Sequence, residues 1–303
     1  FGSGRARIFS RTVTSMEGTS EVLTDSRPAV FVQGAVKRYR KFGEALRGVN
    51  LRVPRGSFYS LIGSNGAGKT TLLKVIAGLI SLQEGRVEIF GTTPQEAVGK
   101  GRVGYLPEHP AFFPHQTAFQ QLRFLSRLSP SGETPELDDL LRLFDLHGVR
   151  DRKVKTFSEG MVQRLAIAQI LLQDSELFLL DEPFRALDPP GRRALKDVLV
   201  EIRRQGKTVI MSSQDPGDVE ELSTHILCLR EGGVVMDKTL AEIDGEAPYE
   251  VEYREGTPPG GRTLSRIQGQ EGLWRFLSEL KEGGGELLSV RKSVRRNLED
   301  LWR

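Results

Sequence analysis

Two hydrophobic periods alternate along this chain. Apolar residues in close alternation at Val30 and Val32, and again through Leu46, Val49, Leu51 and Val53, predict half-buried strands punctuated by Gly43, Gly48 and a Pro54-Arg55-Gly56 turn. Ser57 to Ile62 is a compact apolar run that leads straight into glycines. Beyond it, helical spacing governs Lys69 to Leu79, Phe119 to Leu128, Leu137 to Leu146 and Met161 to Leu172. Short apolar runs at Leu177 to Leu180, Thr208 to Met211 and Ile226 to Leu229 predict buried strands. Strand and helix alternating in this way predict an α/β fold: a mainly parallel sheet with helices on both faces. No internal repeat is visible.

The texture changes after Leu240, where Gly245, Pro248, Pro258, Pro259, Gly260 and Gly261 surround a short alternating strand, Tyr249 to Tyr253. A helix near Leu273 to Leu280, a strand near Glu286 to Val290 and a closing helix through Leu298 to Trp302 complete a small α+β accessory unit, residues 246–303. At the other end, residues 1–27 carry Arg5, Arg7, Arg11 and several hydroxyl residues, with no acid before Glu17 and no apolar run of secretory type. They are expected to be a disordered or non-native extension, with Met16 as an alternative start and a short transit remnant as the rival reading. The main unit is then 28–243.

Composition narrows the class. The 303 residues are 38% hydrophobic and 27% charged, enough apolar content for an independent core. Lys and Arg number 43 against 40 Asp and Glu, so the net charge of +3 is too small to argue for nucleic acid, and none is expected as a partner. The only cysteine, Cys228, makes no demand for an oxidising compartment. No run of about 18 apolar residues occurs, so no membrane span is predicted. His109, His115 and His147 lack metal-ligand spacing, and no metal is assigned to them.

Gly63-Ser64-Asn65-Gly66-Ala67-Gly68-Lys69-Thr70-Thr71 contains the G-x-x-x-x-G-K-S/T phosphate loop between a predicted strand and a predicted helix, which is the context the motif needs. Glycines let successive N–H groups turn inward around phosphate oxygens, the helix adds its positive end, Lys69 supplies a point charge and Thr70 offers a hydroxyl to Mg²⁺. Downstream, Leu177 to Leu180 ends in Asp181 and Glu182. Strand ends of this kind face the ligand crevice of an open parallel sheet. There Asp181 can hold Mg²⁺, while Glu182 can orient or deprotonate the attacking water.

These residues, with three further stretches, make residues 30 to about 240 resemble the ATP-binding subunit of an ABC transporter. Thr156-Phe157-Ser158-Glu159-Gly160-Met161, followed by Gln163 and Arg164, resembles the family's signature in the form common among bacterial drug, antibiotic and polysaccharide exporters. Ala186-Leu187-Asp188-Pro189 resembles the D-loop, and Gly104-Tyr105-Leu106-Pro107-Glu108 occupies the place of the Q-loop. Asn297 to Trp302 resembles, more weakly, the tail of exporter-type subunits.

The resemblance implies a P-loop NTPase core with an antiparallel β subdomain and a helical subdomain at about 109–165. It also implies ATP and Mg²⁺ as cofactors and a head-to-tail pair of nucleotide-binding domains sharing two ATP molecules. Ser158 and Gly160 would close over the partner's nucleotide, Tyr39 would stack on adenine and Asp188 would touch the partner's phosphate loop. Separate transmembrane permease subunits would do the transport, with this chain at the cytoplasmic face of the plasma membrane. The expected docking region is His109 to about Lys155, where Phe112, Phe113 and Phe119 serve either as contact surface or as helical-subdomain core.

Three positions depart from the family pattern. Glu108 stands where many relatives have glutamine, although a carboxylate can still approach Mg²⁺. Glu159 replaces a small residue, so its side chain must avoid the partner's phosphates. Gln214, after strand Thr208 to Met211, stands in the switch-histidine position. Glutamine can donate to a γ-phosphate but cannot become cationic, which predicts hydrolysis slower than a histidine version by on the order of 10 to 1,000-fold. His225 precedes the next strand and belongs to the opposite end of the sheet. Two readings stay open beside an exporter motor: a degenerate ATP-binding half-site paired with an active subunit, and a non-transport ABC ATPase acting on ribosomes or DNA.

Overall fold

The computed structural model describes residues 27–41, 43–127, 137–246, 249–254, 262–267, 269–283 and 286–292. The extension expected ahead of Arg27 and the closing helix expected through Leu298 to Trp302 lie outside the described residues.

The central sheet follows the predicted apolar runs. Strands β3 (Phe58–Ile62), β6 (Leu177–Leu180) and β7 (Thr208–Ser212) are buried at every position, as strands covered on both faces must be. With β5 (Val103–Leu106), β8 (His225–Arg230) and β9 (Gly233–Thr239) they form a six-stranded sheet in the order β5-β6-β7-β3-β8-β9, parallel except for β9. A second, antiparallel sheet has the order β2-β1-β4, from β1 (Val30–Tyr39), β2 (Gly43–Val53) and β4 (Glu84–Ile89). Helix α1 (Lys69–Ile76) lies against this layer, and Leu72, Leu73 and Ile76 join Val30, Leu46 and Leu61 in one core.

The opposite face of the parallel sheet is covered by α5 (Glu159–Ile170) and α6 (Pro189–Arg204). Helix α6 buries Leu195, Val198, Leu199 and Ile202, an i, i+3, i+4, i+7 stripe. Several segments that the sequence reading did not single out are ordered elements, among them β4, α2 (Pro94–Gly99), α6 and β9. Outside α6 they are short or carry few apolar residues, so periodicity had little to register. Helices α3 (Ala118–Ser126) and α4 (Leu137–Leu143) pack on the same core through Leu122, Leu140 and Leu141. Thr117 starts α3 with a capping box closed by Gln120.

Past α7 (Pro216–Leu222) and α8 (Leu240–Glu246), the chain forms a third sheet ordered β11-β10-β12 from β10 (Tyr249–Arg254), β11 (Arg262–Ile267) and β12 (Glu286–Lys292). Helix α9 (Gly269–Glu282) covers one face, and Val251, Tyr253 and Leu273 form a small core of their own. Among the described residues no helix is long and apolar enough to cross a membrane.

Candidate nucleotide site

The phosphate loop leaves β3 and enters α1. A Cβ at Gly63 (φ 143°) would lie 2.2 Å from the Leu229 carbonyl oxygen, and one at Gly68 (φ 108°) would lie 2.5 Å from that of Ala45. Only glycine fits either place. Between them Ser64, Asn65 and Gly66 are exposed while Ala67 is buried, so the loop presents its tip and anchors its base. Gly68 caps α1 without a side-chain hydrogen bond, leaving the first N–H groups of the helix free to meet an anion. Lys69 is buried, and its ammonium donates to the carbonyls of Gly63 (2.7 Å) and Ser64 (3.2 Å). Burial lowers its pKa, against the opposing pull of Glu182, Asp181 and Glu108. Thr71, the third residue of α1, is half-buried.

Across the sheet, β6 delivers the acids. Asp181 is 1% exposed; its Oδ1 accepts from the Thr70 hydroxyl (3.1 Å) and the Ser212 hydroxyl (2.7 Å). Its Oδ2 is buried without a hydrogen-bond partner. An unpaired buried carboxylate oxygen is costly unless something positive reaches it. A hydroxyl and a carboxylate oxygen side by side suit Mg²⁺, which takes one or two protein ligands and draws the rest from phosphates and water. Among the described residues no cluster of three or more His, Cys, Asp or Glu is placed to hold a metal ion.

Glu182 follows with φ 47°, a left-handed conformation rare for a non-glycine residue. Its N–H donates to the Ser212 hydroxyl (2.8 Å). Gln214 lies just past β7, as its sequence position predicts, and its Nε2 donates to Glu182 Oε1 at 3.0 Å. Burial raises the Glu182 pKa, the Gln214 hydrogen bond and Lys69 lower it, and Asp181 and Glu108 raise it further. A raised carboxylate pKa suits a group that must take up a proton. His225 pairs with Tyr59 at the start of β3, the end of the sheet away from the phosphate loop, and stacks on that ring at 4.6 Å.

Glu182 and Gln214 line a pocket of about 550 Å³ with Glu108, Phe184, Arg185 and Arg192. Glu108 accepts from Arg185 Nη1 at 2.6 Å, so its carboxylate is already engaged by a cation. Arg192 donates to Asp215 (2.8 Å) and to Asp218 (2.7 Å), whose side chain is buried, and so fixes the segment just after Gln214. Ser212, Arg185 and Arg192 are the site residues that sequence reasoning missed. Only a hydroxyl ending the strand beside the acids hinted at the first, and nothing in the local pattern marks the two arginines.

Other predicted residues sit at the margins. Tyr39 ends β1 with the Lys37 ammonium 5.6 Å from its ring centroid. It pairs with Gly43, two residues before the Ala45 carbonyl that touches the phosphate loop. Ser158 caps α5, accepting from the Met161 N–H at 3.3 Å, and Gly160 lies in the first turn. Asp188 caps α6 through the Gly191 N–H and pairs with Arg164, which lowers its pKa. Its carboxylate therefore has partners within this chain.

A family model described as "ABC transporter" matches residues 46–185, the stretch from β2 through the acids and into the loop before Asp188. An uncharacterized ABC transporter ATP-binding protein, sll0415, of Synechocystis sp. is 34% identical over 238 residues, covering 76% of this chain and 67% of that one. The daunorubicin resistance ATP-binding protein DrrA3 of Streptomyces coeruleorubidus is 35% identical over 223 residues, covering 72% of this chain and 70% of the relative. Among solved structures, the dimeric post-hydrolysis state of the ATP-binding cassette MJ0796 bound to ADP and Pi superposes with a TM-score of 0.63 at 25% identity, over 69% of this chain and 98% of that one. With the phosphate loop, the acidic strand end and the sheet order that joins them, these likenesses identify the chain as a member of the ABC transporter ATP-binding family.

Proposed function

We propose that this chain is the ATP-hydrolysing subunit of an exporter, working as a head-to-tail dimer on separate transmembrane permease subunits at the cytoplasmic face of the membrane. Family membership implies ATP hydrolysis. The observation that carries the hydrolytic reading is the chain of contacts from Thr70 through Asp181 and Ser212 to Glu182 and Gln214, which supports a cation site and a general base on adjacent strand ends.

In this reading the phosphate loop and Lys69 bind the β- and γ-phosphates, and Tyr39 stacks on adenine. Thr70 and Asp181 would hold Mg²⁺, with Glu108 acting electrostatically on Lys69 and Glu182. Bound there, Mg²⁺ would neutralise developing charge on the phosphoryl group. Glu182 accepts the proton of the attacking water, and Gln214 keeps the carboxylate aimed. Ser158 and Gly160 make no hydrogen bond to the phosphate loop of their own chain among the described residues, which supports their closing on a partner's nucleotide, with Asp188 beside the partner's loop.

Export is supported by the drug-resistance relative and by the signature form around Ser158. The docking surface we assign is narrower than the aromatic segment as a whole. Phe112 and Phe119 pack on the core, whereas Phe113 and Phe124 are 54% and 43% exposed and meet edge to face at 5.9 Å. The same proposal divides the chain into a nucleotide-binding unit, 28–243, and an accessory unit, 246–303.

The test is Mg²⁺-dependent ATP hydrolysis by the purified chain beside Glu182→Gln, with particle mass followed in saturating ATP. Turnover by the wild type and a stalled ATP-bound dimer of the variant support the reading. Glutamine in place of histidine favours one alternative, a half-site that binds ATP without turning it over. Binding without turnover by the wild type would establish that alternative.

A further inference from the structure

Two of the family departures are acids, and one arginine meets both. Arg185 lies in the loop between β6 and α6, where its N–H donates to the Glu182 carbonyl at 3.1 Å. Its Nη1 donates to Glu108 Oε1 (2.6 Å) and lies 3.2 Å from His109 Nε2, while its Nε is 3.4 Å from Glu159 Oε1. The backbone alongside is equally close. Ala186 adopts φ 57°, and its carbonyl oxygen would lie 2.7 Å from a Cβ at Gly160. The loop after Glu182 therefore touches the head of α5 twice, once through a carbonyl that tolerates only glycine opposite it and once through a guanidinium.

Both acids occupy places where an unpaired charge is harmful. Glu159 is the first residue of α5, beside N–H groups that the proposed function directs at a phosphate. Glu108 shares the pocket with Glu182 and acts electrostatically on both Lys69 and Glu182. Each pair is open to water and alone adds little to stability. Their value lies in where they hold the charges.

We propose that Arg185 is a positioning residue that makes both acids compatible with nucleotide closure, by bridging Glu108 on the loop after β5 to Glu159 at the head of α5 and holding both carboxylates off the phosphates. This rests on the head-to-tail reading above. In this role Arg185 acts through the two acids.

The experiment compares Arg185→Gln, Arg185→Lys, Glu159→Gln and the pair Arg185→Gln/Glu159→Gln in the full chain. It measures the MgATP concentration giving half-maximal turnover and half-maximal dimer mass, at low and high salt. Arg185→Gln is expected to raise that concentration about fivefold at low salt, with kcat less affected, and the increase shrinks as salt screens the freed acids. Arg185→Lys falls between. Adding Glu159→Gln removes one of the two freed charges and brings the value about halfway back to wild type, Glu108 remaining unpaired.

A merely structural arginine would leave the double variant as impaired as the single one, and that result overturns the proposal, as does an Arg185→Gln protein that behaves like wild type. Should the wild type neither turn over nor dimerise, the function reading falls, and nucleotide-free denaturation midpoints decide the bridge by themselves. Non-additive effects of Arg185→Gln with Glu159→Gln and with Glu108→Gln support it; additive ones refute it.

Discussion

Removing the Gln214 side chain tests the electrostatics of the catalytic acid directly. In Gln214→Ala the Nε2 donor 3.0 Å from Glu182 Oε1 disappears, while the half-buried hydrogen bond from the Glu182 N–H to the Ser212 hydroxyl stays. A hydrogen bond to an ionised acceptor contributes about 1.5–3 kcal/mol when dry, and Gln214 is exposed, so about 1–1.5 kcal/mol is the fitting range. That corresponds to roughly tenfold in turnover. The pH profile carries the sign. Burial already raises the Glu182 pKa and the Gln214 donor lowers it, so losing the donor raises it further. A base must be ionised to accept a proton, so the acidic limb of kcat against pH moves to higher pH in the variant. Steady-state ATPase of both proteins across the neutral and acidic range measures rate and limb together. In the same assay Gln214→His should turn over faster than wild type, since histidine supplies the donor and can also carry charge. Unchanged turnover in Gln214→Ala, or a limb displaced to lower pH, would falsify the assignment of Glu182 as base with Gln214 as its orienting donor.

Further expectations follow from the same contacts. Asp181→Asn keeps the fold but replaces a charged ligand with a neutral one, so Mg²⁺-dependent ATPase should fall at least about 100-fold while the melting temperature stays within a few degrees; retained activity at ordinary Mg²⁺ would count against the cation site. Gly68→Ala forces a methyl group to within 2.5 Å of the Ala45 carbonyl oxygen, so a fluorescent ATP analogue should lose most of its affinity for this variant; normal binding would contradict the loop geometry. Asp218→Ala strips the buried carboxylate from Arg192 and Lys196, and urea unfolding should register a loss of about 2 kcal/mol; no loss would remove the network as an anchor of the segment after Gln214. Phe113→Asp together with Phe124→Asp should leave ATPase of the free chain within about twofold and abolish its retention by membranes containing its permease; unimpaired retention would move the docking surface elsewhere.

Much of the fold was legible because its central strands are continuous apolar runs and its main helices are strongly periodic. Leu177–Leu180 matched to the residue, and β7 extended the expected strand only by Ser212. Helix α1 stopped sooner than predicted, at Ile76, because Gly78 takes φ 68° just beyond its cap. The amphipathic α6 went unnoticed although its stripe is regular, being masked by Pro189, Pro190 and four arginines. The aromatic segment split in a way no pattern announced, with Phe119 packed under Arg150 and Phe113 turned outward.

The phosphate loop, the acidic strand end and the position of Gln214 after β7 were decided locally: glycine spacing, a hydrophobic run and a chain turn each act over a few residues, and the sequence by itself spells them. The contacts among them were decided only by the tertiary structure. Thr70 and Asp181 are 111 residues apart, Asp181 and Ser212 are 31 apart, and Glu108 and Arg185 are 77 apart. Parallel pairing of β6 with β7 sets Leu180 beside Met211, so the residues that follow each strand converge on one edge. That convergence leaves one Asp181 oxygen paired and the other unpaired, aims an amide at Glu182 and puts one guanidinium between two acids. Strand order, not spacing along the chain, governs which charges meet.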